Sequence, residues 1–222
     1  LPNLHVLRVF CDADGRHGNP LGVFLDGGAV PEAERQALAT ELGFAETVFL
    51  DDSASGALRI FTPSEELPLA GHPLVGTAWL LRETGDPLPV LRPPAGEVQV
   101  RFAEDLTWIV ARPEWGPPFG FLQVDSAAEV DALDGPPSGR GLVGVWAWID
   151  QGGGVVRERV FVPELAIPED EATGSAALLL CAQLGRELEI RQGAGSILYA
   201  RPAGGGRAAV GGRVVLEEVR ER

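Results

Sequence analysis

Short apolar runs, each soon broken by glycine, proline or charge, make up most of the chain. Residues 5–10 (HVLRVF) and 21–25 (LGVFL) read as strands on either side of a Gly18-Asn19-Pro20 turn. Residues 46–50, 58–62, 97–102, 107–111 and 141–149 carry the same β-rich pattern. Residues 31–42 have helical spacing, open on proline and glutamate, and stop at Gly43. Residues 74–82 predict a second helix, with Pro73 at a favoured first-turn position and Gly85 behind it. Residues 176–184 predict a third. The Pro/Gly-rich stretch 112–120 is the best candidate for a domain joint, and 134–139 is a further turn-rich loop.

The second half repeats the plan of the first. Arg59-Ile-Phe-Thr-Pro63 is matched one hundred positions later by Arg159-Val-Phe-Val-Pro163. After a loop in each half come Gly76-Thr-Ala78 and Gly174-Ser-Ala176. Agreement of motif, order and spacing points to an internal duplication. Both following helices are apolar on nearly every side, so both must be buried on every side. Wrapping a curved sheet around each helix achieves this at the least chain length. The expected fold is α+β, with two pseudo-symmetric domains, 1–113 and 114–222. Each is a curved, mostly antiparallel sheet around a central helix, and the last strand is free to return to the N-terminal domain. Pseudo-twofold symmetry would turn both helix N-termini toward one cleft. Their unpaired N–H groups and partial positive charge would then form an anion site.

Composition sharpens that expectation. The 222 residues include 32 acidic and 18 basic side chains, a net charge of -14, and every basic residue is arginine. Without lysine there is no Schiff base and no P-loop lysine. The acidity argues against nucleic acid and against an anionic membrane surface. No apolar run is long enough to span a bilayer, and residues 1–10 lack a signal-like apolar core, so a cytoplasmic protein is expected. Cys11 and Cys181 stand far apart without a histidine cluster, so neither a disulfide framework nor a metal site is expected.

Glu46, His72 and Asp170 are the candidates for acid–base chemistry. Glu46 sits between apolar Phe44-Ala45 and an apolar strand, where desolvation would raise its pKa. His72 precedes a helix, which favours its neutral form. Asp170 could bind a substrate amine or hydroxyl. Gly71, Gly174 and Ser175 could offer backbone amides to a carboxylate, and Asn19 could contact a ligand. The plain alternatives are a strand-end glutamate in water, a capping histidine, a surface carboxylate, ordinary helix starts and an Asn-Pro turn. Two-thiol epimerisation is rejected, because neither cysteine lies at a helix start. A hydrolase is disfavoured, because no Ser-His-Asp arrangement surrounds Ser175.

These motifs carry a resemblance. Phe61-Thr-Pro-Ser-Glu-Glu-Leu-Pro-Leu-Ala-Gly-His-Pro73 and Glu169-Asp-Glu-Ala-Thr-Gly-Ser-Ala176 resemble the two hallmarks of the phenazine-biosynthesis (PhzF-like) isomerases. Gly18-Asn-Pro20, Glu46-Thr-Val-Phe49, Gln192-Gly193 and Arg201-Pro202 follow in the family's order. The resemblance implies a diaminopimelate-epimerase-like fold, a homodimer, and no metal or organic cofactor. It also implies a cofactor-free isomerase or epimerase that moves a proton on a small carboxylate-bearing, anionic metabolite. Glu46 would shuttle the proton, His72 and Asp170 would assist, and Gly71, Gly174 and Ser175 would lie near the substrate. The chain departs from the pattern at Ala45, where serine is usual, and at Glu171, where proline is usual. It also looks shorter between 115 and 151 and near the C-terminus. These departures leave a rival, a non-catalytic ligand-binding or interaction protein on the same scaffold.

Overall fold

The computed structural model describes residues 2–137, 141–163 and 167–221, so part of the expected loop at 134–139 lies outside the described residues. The first half runs β1 (Leu4–Cys11), β2 (Asn19–Phe24), α1 (Glu32–Leu42), β3 (Glu46–Asp52), β4 (Ala57–Phe61), β5 (Glu66–Leu67), α2 (Gly71–Glu83), β6 (Val90–Leu91), β7 (Val98–Ala103) and β8 (Leu106–Ala111). The second runs β9 (Gly120–Gln123), α3 (Ala127–Asp131), β10 (Val143–Asp150), β11 (Val155–Val162), β12 (Ile167–Asp170), α4 (Gly174–Leu184), β13 (Leu188–Gln192), β14 (Ser196–Gly204) and β15 (Arg207–Arg220).

The pairing repeats between halves. A parallel pair spans a short helix (β2–β3, β9–β10), then an antiparallel hairpin follows (β3–β4, β10–β11). A short strand docks on the hairpin's outer member (β5 on β4, β12 on β11), and the long helix comes next. Both halves end in a meander, β6–β7–β8 and β13–β14–β15. Residues Ala208–Gly212 of β15 pair with β8, and its remainder, from Arg213 to Arg220, pairs with β1. One strand thus joins the two sheets. Helix α2 packs on β1, β2, β3, β8 and β15, and α4 on β14 and β15. A single apolar cluster holds Leu7, Leu74 and Val75 together with Ala177, Leu178 and Val210, so the two helices share one core.

Both long helices begin earlier than apolar spacing indicates, at Gly71 and Gly174. The preceding Ala70 and Thr173 are extended and cap neither helix with a side chain. The two N-termini abut. A Cβ on Gly71 would stand 2.6 Å from the Gly174 Cα, and one on Gly174 would stand 2.8 Å from the Gly71 Cα. Only glycine at both positions permits this approach. Strands β13 to β15 have no counterpart in the sequence expectation. Glycines at 193, 195, 204–206 and 211–212 interrupt their pattern, yet Gly211 and Gly212 are the places where β15 slides under the Trp108 and Phe10 rings.

The repeat's arginines act as outer clamps. Arg59 binds Glu66 and Glu32 and lies over Phe61. Arg159 binds both oxygens of Glu169, at 2.8 and 2.6 Å, and lies over Phe161. Each pair fastens the short docking strand (β5 or β12) that leads into a long helix. The duplication breaks one residue earlier, where core Leu58 is matched by Glu158. Glu158 is 0 % exposed and neither carboxyl oxygen has a partner. Burial pushes its pKa up to about 8.

Two stability outcomes follow. Gly71→Ala should cost about 1–3 kcal/mol, as for overpacked cores, and lower the melting temperature by several degrees. Glu158 binds its proton more tightly in the folded chain than in the unfolded one. Stability should therefore fall as pH rises from the ordinary glutamate range to about 8 and level off above it. Glu158→Gln should flatten that decline, and urea melts across pH 5 to 9 would measure it.

Candidate active site

Glu46 is the first residue of β3, where its parallel neighbour in β2 is Leu21. His72 is the second residue of α2, and Asp170 ends β12 just before α4. The fold brings all three to the place where the two helix starts meet. Glu46 Oε2 lies 3.2 Å from His72 Nε2. Asp170 is close enough to act on Glu46 electrostatically. Exposures of 9 %, 2 % and 7 % for Glu46, His72 and Asp170 put the trio out of bulk water.

The Gly18-Asn19-Pro20 segment holds two members of the trio. Asn19 Nδ2 donates to Asp170 Oδ1 at 2.6 Å and to the Ala172 carbonyl at 3.2 Å. The Pro20 backbone, which has only a carbonyl to offer, bonds the His72 ring. His72 Nε2 has no hydrogen-bond partner, so the bond to Pro20 comes from Nδ1–H. That fixes the tautomer and turns the Nε2 lone pair toward Glu46. Asp170 Oδ2 accepts from Thr173 Oγ1 at 2.6 Å. Gln192 accepts from the Thr173 amide and donates to the Asp170 carbonyl, locking the turn into α4.

Burial, and then the charge of Asp170, hold the Glu46 carboxyl well above the usual carboxylate range. Burial pushes Asp170 up to about 6, against the lowering effect of its bonds from Thr173 and Asn19. Burial drives His72 down to about 3, so its imidazole is neutral. Glu46, which burial biases toward its protonated form, thus faces a neutral histidine, with a hydrogen-bonded aspartate nearby. Such a set can deliver a proton and take one back near neutral pH.

Beside Glu46 and Asp170 lies a narrow cavity of about 20 Å³, lined also by Thr62, Phe119, Thr173 and Ser175 among others. This is room for roughly one water. Ser175, expected from the sequence, faces this space. Gly71 and Gly174 pack backbone against backbone, and the Asn19 amide is committed to Asp170 and Ala172. Thr173 and Gln192 were not among the sequence candidates; the Asp-x-x-Thr spacing that lets Thr173 reach back to Asp170 was their available signal. A larger surface hollow of about 570 Å³ includes Arg59, Glu66 and Arg92, but carboxylates already pair its arginines. Among the described residues no group of three His, Cys, Asp or Glu side chains is placed to hold a metal ion. Cys11 and Cys181 are buried and free, and burial raises both thiols to about 11.

The fold is shared with a solved epimerase. A hydroxyproline epimerase from Agrobacterium vitis superposes with a TM-score of 0.65 at 16 % identity, covering 98 % of this chain and 91 % of that one. A PhzF-family phenazine biosynthesis protein from Bacillus anthracis superposes more closely, with a TM-score of 0.80 at 20 % identity over 99 % and 98 % of the two chains. In sequence, the trans-2,3-dihydro-3-hydroxyanthranilate isomerase of Pseudomonas chlororaphis is 30 % identical, covering 84 % of this chain and 86 % of its own. The phenazine biosynthesis-like (PhzC-PhzF) profile matches residues 7–133, and the chain belongs to that family of isomerases.

Removing the Asn19 donor should raise Asp170 further, because that bond favours the ionised form. Asn19→Ala should therefore move the Asp170 titration upward, read from its carboxyl ¹³C shift. It should also cost about 1–3 kcal/mol, as for a buried acceptor left unpaired.

Proposed function

We propose that the chain is a cofactor-free isomerase or epimerase that moves a proton on a small carboxylate-bearing metabolite, with Glu46 as the acid–base group. The observation that carries this reading is the buried Glu46 carboxyl, its Oε2 3.2 Å from Nε2 of a neutral His72 where the two helix starts meet. Glu46 gives its proton to one end of a substrate carbon–carbon double bond and takes a proton from the carbon next to the other end, so the double bond shifts and Glu46 ends the cycle protonated again. An epimerisation would run in the opposite order: the Glu46 carboxylate takes the proton from the centre, and a proton from a second acid enters on the opposite face. His72 orients the carboxyl through Nε2. Asp170 carries the negative charge that keeps Glu46 a weak acid, and it accepts a substrate N–H or O–H. Ser175 and the amides at the two helix starts hold the substrate carboxylate, where helix dipoles favour an anion.

A cavity of about 20 Å³ admits no metabolite, so the cleft opens to load and closes for chemistry. The same reading takes the protein as a cytoplasmic homodimer, the dimer being open to test by sedimentation. The compound named for the Pseudomonas chlororaphis relative heads the substrates to try, followed by cyclic and acyclic amino and hydroxy acids.

Incubation in D₂O should place deuterium on a substrate carbon, seen by ¹H NMR. Glu46→Gln should lower that rate on the order of 10²-fold or more. Full turnover by Glu46→Gln would remove Glu46 from the mechanism. Tight binding of a substrate that never exchanges would instead mark a binding protein.

A further inference from the structure

Glu171 adds a carboxylate directly beside Asp170, at a position where the chain departs from the second hallmark. Its surroundings are built to receive it. Both Glu171 oxygens accept from the Ala194 amide at 3.0 Å, and Oε1 accepts from Ser196 Oγ at 2.7 Å. Gly193, with φ +56°, leaves the space the carboxylate fills, since a Cβ there would collide with it. Ser196 Oγ in turn accepts from the Gly18 amide at 2.9 Å. Gly18 is buried with φ +81°, and a Cβ on it would meet the Val9 carbonyl at 2.7 Å. The next residue is Asn19, which holds Asp170.

These contacts form a closed ring, from Asp170 through Glu171, Ser196, Gly18 and Asn19 and back to Asp170. It joins the β12–α4 connection, the β13–β14 turn and the start of β2. We propose that Glu171 is a positioning residue of the acid–base site: through Ser196 and Gly18 it seats Asn19 against Asp170. This rests on the reading that Asp170 belongs to the proton-transfer site. Glu46 from β3 and Glu171 itself are the ionisable groups that act on or with Asp170, and the charge that raises Asp170 is that of Glu171.

The two links of the ring act on Asp170 in opposite senses. The Glu171 charge raises its pKa, and the bond from Asn19 lowers it. Glu171→Gln keeps an acceptor for Ser196 and Ala194 but removes the charge, so the Asp170 midpoint should fall below about 6. Ser196→Ala keeps the charge but frees Gly18 and Asn19, so the midpoint should rise. The measurement is a carboxyl ¹³C titration of Asp170 in the full chain, which needs no substrate. Thermal melts would confirm that both variants are folded. Opposite shifts support the proposal. No shift in either variant, or shifts in the same direction, overturns it. Failure of the proton-transfer reading would show separately, as absence of deuterium exchange in the wild type while the opposite shifts persist.

Discussion

The backbone contact between Gly71 and Gly174 is the constraint on which the site depends. Two helices apolar on nearly every face can be buried only inside sheets, and each half builds its own sheet around one of them. Duplication with pseudo-twofold symmetry then makes the helix starts meet head to head. They can meet only where neither residue has a side chain. Once they do, the residue after Gly71 and the residues just before Gly174 fall together. His72 and Asp170 both come to Glu46 for that reason, although about a hundred residues separate them in the chain. Glu46 completes the group because β3 lies in the sheet wrapped around α2.

The short segment Gly18-Asn19-Pro20 supplies the orientation that helix contact alone cannot. Each of its three residues contributes one polar group to a different part of the site. The Gly18 amide reaches Ser196, the Asn19 side chain reaches Asp170, and the Pro20 carbonyl reaches His72. A turn motif that sequence alone explains as chain reversal is thus also the bracket that sets a histidine tautomer and ionises an aspartate. Asn19 emerges as support for Asp170, since its donors are already taken within the protein.

The Arg59 and Arg159 repeat made the two-helix plan legible, and the Glu46, His72 and Asp170 grouping followed from it. The arginines repeat because each clamps a short strand and covers an aromatic ring, a local arrangement that leaves a local motif. The start of each helix was less visible, because Gly71-His72-Pro73 carries no apolar periodicity. Strands β13 to β15 were hidden for a related reason. Gly211 and Gly212 break the alternation of β15, and in the fold they make room for the Trp108 and Phe10 rings. Long-range contacts set these positions, and period-two alternation cannot report them. Glu158 was invisible for the opposite reason. It sits in an ordinary alternating strand, and only the folded sheet shows that its face is sealed.

A net charge of -14 opposes capture of an anionic substrate from solution, and a site built from two carboxyls and no cation adds to that cost. The electrostatics inside the cleft differ from those of the surface. Burial and the charge of Asp170 push Glu46 toward its protonated form, which lessens the negative charge it brings to the cleft. His72 is neutral. Asp170 is the one residual charge of the trio, and Asn19 and Thr173 already bind its oxygens. Charges on the outer surface act through water and salt, which screen them beyond about 10 Å at moderate ionic strength. The helix starts act at contact distance in a dry cavity, where the same partial charge counts for more. The missing lysine is therefore consistent with the proposed chemistry. A buried ammonium here would draw the proton from Glu46 by stabilising its carboxylate, and would remove the acid that the first step requires.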